Sequence, residues 1–199
     1  LDDRPETEPY LQRIQAEVQR LERIVRSLLE YSRPTTPQLT PLDLRQAGEQ
    51  AIGDLKELAA GAGIELLSPD SDLPCLARAD RDQIHQVLLN LIQNAIQACG
   101  EGDRIGLRLE RAAAAGGGAG LARLIVWDSG PGVSEAAAVK LFDPFYTTKA
   151  EGTGLGLSLC QQIVKEHGGQ LKYRSREEGG SEFIVELVAD VEQPCHEAR

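Results

Sequence analysis

Residues 152–169 read GTGLGLSLCQQIVKEHGG. Gly152, Gly154 and Gly156 precede a segment that reads as a helix over 156–169, stopped by Gly168 and Gly169. Backbone N–H groups at a glycine-rich helix start form a phosphate-suited cradle. The pattern is not G-x-x-x-x-G-K-[ST], which excludes the phosphate loop of Walker-type NTPases. It does not directly follow a strand, which disfavours a dinucleotide-binding βαβ unit. Taken alone it is only moderately specific.

Three further patterns lie upstream. Leu141-Phe142-Asp143-Pro144-Phe145-Tyr146-Thr147-Thr148-Lys149 is too polar for a simple core strand and ends in a cation; Phe142 and Phe145 are expected to anchor the base of a lid. Asp128-Ser129-Gly130-Pro131-Gly132 follows the strand-like LIVW. A carboxylate at a strand end can accept a hydrogen bond from a ligand amine, with glycines admitting close approach; the same five residues equally suit a plain turn. Asn90 and Asn94, in NLIQNA, stand one turn apart on a common helix face. Two amides there can offer oxygens to a hard cation or bond a phosphate, or simply satisfy local backbone.

Around these patterns the spacing predicts helices over 10–33, 43–63 and 81–99, the last two capped by Asp43 and Asp80. Strands are predicted at 64–68, 75–79, 104–111, 121–128, 170–177 and 181–189. Short connections favour antiparallel pairing with helices on one sheet face, an α+β fold. In the first helix Leu11, Ile14, Val18, Leu21, Val25 and Leu28 alternate by three and four, the seam of a coiled coil or bundle. Pro34, Pro37 and Pro41 then read as a hinge, AAAAGGGAG (112–120) as a loose hairpin loop, and 191–199 as a frayed polar tail.

Of the 199 residues 41% are hydrophobic, and a net charge of −10 argues against a general nucleic-acid or anionic-membrane binder. No apolar run approaches a membrane span, so no membrane contact is expected of these residues. The four cysteines are scattered, without a C-x-x-C pair, and read as reduced cytoplasmic thiols. Methionine is absent even at position 1, giving the expectation that the chain is part of something longer, whose remainder would hold any membrane anchor.

In this order the four patterns resemble the asparagine box, two glycine boxes and phenylalanine box of the ATP-binding domain of sensor histidine kinases, over roughly residues 80–187. FYTTK and GTGLGLSLCQQIVKEHGG look most like the nitrogen-regulation-type subset. LLEYSRP looks like the end of the second helix of the dimerisation and phosphoacceptor hairpin. The resemblance implies a Bergerat-type α/β sandwich at 37–190, preceded by a long amphipathic helix, with 1–36 as hairpin helix and linker. It implies ATP and Mg²⁺ as cofactors. Asn94 would hold Mg²⁺, Asp128 the adenine amino group, and Gly130 and Gly132 would let the chain pass near the base. Lys149 and the amides around Gly154, Leu155 and Gly156 would meet the phosphates. Asn90 and Leu157 complete the implied ATP-binding set, residues 133–153 would be the lid, and Thr153 would help close it. Implied partners are the chain's own phosphoacceptor helix, a second copy in a homodimer, and the receiver domain of a response regulator.

Related ATPases (DNA gyrase, mismatch-repair ATPases, heat-shock chaperones) carry Glu where Asn90 stands. Asn90 offers no lone pair suited to activating water, so transfer to a side chain is the better reading. Gln97 stands where many family members have a basic residue. His85, His167 and His196 do not fit as phosphoacceptors. His85 reads as packed or half-exposed, and His167 as structural, at a helix end where a cation suits the dipole. The acceptor histidine is therefore expected outside the chain, and self-phosphorylation is not expected. Two alternatives are a nucleotide-gated ATPase of the same superfamily and a degenerate module that signals by helix pairing.

Overall fold

The computed structural model describes residues 8–32, 36–69, 74–112, 120–149 and 152–190. The expectations for Pro34, the 113–119 loop residues and the 191–199 tail lie outside the described residues. Helix α1 (Glu8–Ser32) leads to strand β1 (Thr40–Asp43), helix α2 (Leu44–Gly61), strands β2 (Glu65–Leu67) and β3 (Leu76–Ala79), and helix α3 (Arg81–Ala98). Strands β4 (Arg104–Ala112) and β5 (Leu121–Asp128), helices α4 (Glu135–Ala138) and α5 (Gly156–Glu166), and strands β6 (Gln170–Ser175) and β7 (Ser181–Val188) complete it.

The main sheet has the order β2-β4-β5-β7-β6, and β1 pairs with β3 in a separate two-stranded ribbon. Every neighbour in the main sheet is antiparallel except β2 and β4, which run parallel and correct the expectation of uniformly antiparallel pairing. The cause is the connection: β2 reaches β4 only after β3 and the whole of α3, and a helical crossover brings a strand back in the same direction. Strand β1 falls in what reads as a proline hinge. Pro41 lacks an N–H, which a ribbon strand tolerates.

Period-two alternation sets the two faces of the sheet. Ala122, Leu124 and Val126 of β5 stand opposite Leu187, Val185 and Phe183 of β7 and are buried in one apolar cluster with α2, α3 and α5. Fully burying such a side chain is worth about 1.5–3 kcal/mol. The other face is an ion-pair lattice. Glu182 is held by Arg108 and Arg174, and Glu186 by Arg123 and Lys172. Burial alone would raise both carboxyls, but hydrogen bonds from these cations hold them below the ordinary glutamate value.

Asp43 and Asp80 cap α2 and α3 as predicted, each accepting from helix amides. His167, at the end of α5, is buried as a structural residue. Its Nδ1 lies 2.8 Å from the Ile163 carbonyl, and its Nε2 lies 3.0 Å from the Asp80 amide. Both bonds form together when Nδ1 donates and Nε2 accepts, in keeping with the structural role read for this residue. The ring ties the end of α5 to the start of α3, the two helices that build the site. His85 bonds Asp54 at 2.9 Å between α3 and α2, as a packing residue. On α1 the seam from Leu11 to Leu28 stays 46–60% exposed. No helix among the described residues is long and apolar enough to cross a membrane.

Candidate functional site

Helix α3 buries Leu88, Leu91, Ile92 and Ala95, which leaves Asn90, Asn94 and Gln97 on a strip at the edge of the core. Strand β5 ends with Asp128 in phase with Val126, so the alternation turns this carboxylate toward the helical layer. Only 4% of Asp128 is exposed. Its Oδ1 accepts from the amides of Gly130 (3.0 Å) and Ser181 (3.2 Å), and its carbonyl accepts from Arg176 (2.8 Å). Burial pushes the carboxyl above the ordinary aspartate value, against the opposing pull of those amides and the Arg176 charge. Arg176 also stacks 4.6 Å from the centre of the Trp127 ring. Gly180, at φ +93°, lies so close to the Asp128 carbonyl that a Cβ there would overlap it.

The start of α5 faces the asparagine strip. A Cβ on Gly156 would stand 3.6 Å from Asn90 Oδ1 and 3.9 Å from Asn94 Nδ2. Gly154 has φ +69° and its carbonyl accepts from the Phe145 amide at 2.9 Å, joining the lid to the helix start. Leu141 and Phe142 pack against the core as predicted. Phe145 does not: its backbone is left-handed at φ +66° and its side chain is 64% exposed, which corrects its reading as an anchor.

Lys149 reaches back across the site. Its ammonium lies 3.0 Å from Asn94 Oδ1, 3.4 Å from the Asn94 carbonyl and 2.8 Å from Gln97 Oε1. Burial lowers its pKa. An ammonium resting among three neutral oxygens shows that this corner suits a cation. Hard divalent cations take oxygen ligands of this kind, so the donor set fits a magnesium held by one Asn oxygen and by ligand phosphates.

These groups line one cavity of about 830 Å³. It brings together Asn90, Asn94, Asp128, Gly132, Lys149 and the Thr153–Gly154 turn, with Gly156 and Leu157 at the helix start. Gly130 and Leu155 do not line it. Gly130 packs beside Cys99, and Leu155 is a buried side chain preceding α5. Arg176, Gly180 and Ser181 buttress Asp128 without having been legible as site residues, because no local pattern links a hairpin turn to a carboxylate some fifty residues earlier in the chain. Neither nearby thiol is poised to react: burial, with Asp128 and Asp103 nearby, raises Cys99 to about 11, and burial raises Cys160 to about 12.

Residues 79–191 match the family described as histidine kinase-, DNA gyrase B- and HSP90-like ATPase. The C4-dicarboxylate transport sensor protein DctS of Rhodobacter capsulatus is 39% identical over 86% of this chain and 26% of that protein. The catalytic domain of histidine kinase ThkA superposes with a TM-score of 0.66 at 37% identity, covering 76% of this chain and 95% of that one. ThkA in complex with the response regulator protein TrrA gives 0.75 at 35% identity, covering 98% of this chain and 55% of that one. The chain thus spans about a quarter of the curated relative's length.

Proposed function

Because the chain belongs to the histidine kinase-, DNA gyrase B- and HSP90-like ATPases, and carries the ATPase domain of two-component sensor kinases, we propose that it binds Mg-ATP and moves the γ-phosphoryl group to a histidine of a dimerisation hairpin. That histidine would pass the group to an aspartate on the receiver domain of a response regulator. The nitrogen-regulation-type subset is our finer assignment, resting on FYTTK and the glycine box. We assign 37–190 to the ATP-binding domain and 1–36 to the second hairpin helix with the start of its linker. The exposed seam of α1 awaits the rest of a dimeric bundle. A cytoplasmic location follows from the need for ATP.

The observation that carries this reading is the convergence of Asp128, Asn94, Lys149 and the Gly154–Gly156 turn on one cavity. Asp128 accepts a hydrogen bond from the adenine amino group, while Gly132, at φ +73°, keeps the chain clear of the base. Asn94 would hold the magnesium. Lys149 and the free amides at the start of α5 take up phosphate charge, with Thr153 closing the lid over 133–153. A magnesium held there would supply positive charge against the phosphates. The protein supplies positioning and charge stabilisation, the main terms in phosphoryl transfer. Asn90 cannot act as a base toward water, which favours transfer over hydrolysis.

His85 is engaged with Asp54 and His167 with Asp80 and Ile163, so neither serves as acceptor. The test is radiolabelled Mg-ATP given to the chain alone and then with a separately supplied acceptor hairpin from the same parent. Acid-labile label on the hairpin only is the expected result. Acid-labile label on the chain alone would overturn the acceptor assignment. Rapid hydrolysis without the hairpin would favour the ATPase alternative.

A further inference from the structure

Gln97 is exposed on the last turn of α3, three residues after Asn94. No packing role explains it, yet its Oε1 makes the shortest of the three bonds to the Lys149 ammonium. The lysine backbone is fixed as well. Its amide donates to Thr147 Oγ1 at 3.1 Å, and its carbonyl accepts from the Gly152 amide at 3.2 Å. The tie therefore runs from α3 through the lid to the glycine turn before α5. We propose that Gln97 is a positioning residue: with Asn94 it parks Lys149 on α3 while the site is free of nucleotide, and gives the lysine up to the phosphates when Mg-nucleotide takes Asn94. This rests on the function proposed above.

The charges make the hold reversible. All three acceptors are neutral oxygens, so the ammonium is bonded but its charge is not cancelled. A polyphosphate offers several anionic oxygens to the same ammonium, which adds a charge–charge attraction that the neutral oxygens lack. Asn94 Oδ1 accepts from the ammonium here, and Asn94 would give up that bond on taking a magnesium. The bond to Gln97, the shortest of the three, adds to how firmly the free protein holds its lysine on α3.

This fixes a sign that a merely structural role does not share. A bond made only in the free protein opposes binding, and its removal tightens binding. The experiment measures affinity for Mg²⁺ with the imido analogue of ATP in the full chain, for wild type, Gln97→Leu, Lys149→Met and the double variant. Gln97→Leu is expected to bind about threefold to tenfold more tightly. Lys149→Met binds more weakly, and adding Gln97→Leu to it changes nothing further, because Gln97 acts through the lysine. Unchanged or weaker binding by Gln97→Leu overturns the proposal, and so does equal tightening with and without Lys149. Hydrogen exchange of residues 146–149 in the nucleotide-free protein gives an independent arm. Both single variants should speed exchange there, and unchanged protection overturns the parking contact. A wild-type chain that binds no nucleotide would defeat the proposed function, and this exchange arm would still decide the contact between Gln97 and Lys149.

Discussion

Replacing Asp128 by Asn separates its proposed role in base recognition from its role in the fold. The carboxylate has two tasks that Ala would abolish together. Its Oδ1 satisfies the amides of Gly130 and Ser181, and leaving buried N–H groups unpaired costs about 1–3 kcal/mol each. The Asn side chain keeps one oxygen for those amides, removes the charge and replaces the second acceptor oxygen by an NH2 donor. A hydrogen bond to a charged group is worth about 1.5–3 kcal/mol, so ADP affinity should fall by about tenfold to about 150-fold. Stability should move the other way. Burial raises the Asp128 pKa, so the ionised form is disfavoured in the folded protein. That contribution to stability is present below the ordinary value of 3.8 and lost as pH rises through the raised native value. At neutral pH the uncharged Asn avoids that cost, and the variant should melt no lower than wild type. Calorimetric titration with Mg-ADP and with Mg-IDP, whose base has a carbonyl in place of the amino group, checks the assignment. Wild type should prefer ADP, and Asp128→Asn should lose that preference. Wild-type ADP affinity in the variant would refute the adenine role. A large fall in melting temperature would show that binding failed through the fold instead.

The raised Asp128 pKa also means that nucleotide affinity in wild type should begin to fall, on acidification, at a pH above the ordinary aspartate range; the Asn variant should show no such limb in a pH titration. Glu182 and Glu186 have native pKa values held below their ordinary 4.5 by cation bonds, so their contribution is complete above that value and lost as pH falls through the native ones. Acid melts of Glu182→Gln/Glu186→Gln should have a flatter low-pH limb and a lower neutral-pH melting temperature. Gly154→Ala puts a Cβ about 2.7 Å from the Phe145 Cα in left-handed backbone, and should cost about 1–3 kcal/mol in denaturant unfolding while weakening nucleotide binding. Asp80→Ala removes the α3 cap bonds of 3.1 and 3.2 Å; it should cost about 0.5–2 kcal/mol of stability with nucleotide affinity little changed, as melting and titration together would show.

Local chemistry made much of this protein legible in advance. The a/d spacing of α1, the Asp caps on α2 and α3 and the period-two strands β4, β5 and β7 are properties of neighbouring residues, and they appear where the sequence places them. The four motifs with residues lining the cavity were equally readable, since each is a short local run. Relations between distant segments were not. The parallel pairing of β2 with β4 depends on where α3 packs, and strand β1 on a partner, β3, across the whole of α2. The bond that His167 accepts from the Asp80 amide joins residues 87 apart in sequence. Phe145 reads as an apolar anchor by composition, but its tie to Gly154 turns it outward. The same holds at the two ends of the site. Arg176 and Ser181 support Asp128 only because β7 lies beside β5, and Lys149 meets Asn94 and Gln97 only because the lid folds back over α3. Sequence settles a preference where the forces act within a turn or a strand. Hydrogen bonds and buried charges between remote segments exist only after the core has brought their backbones together.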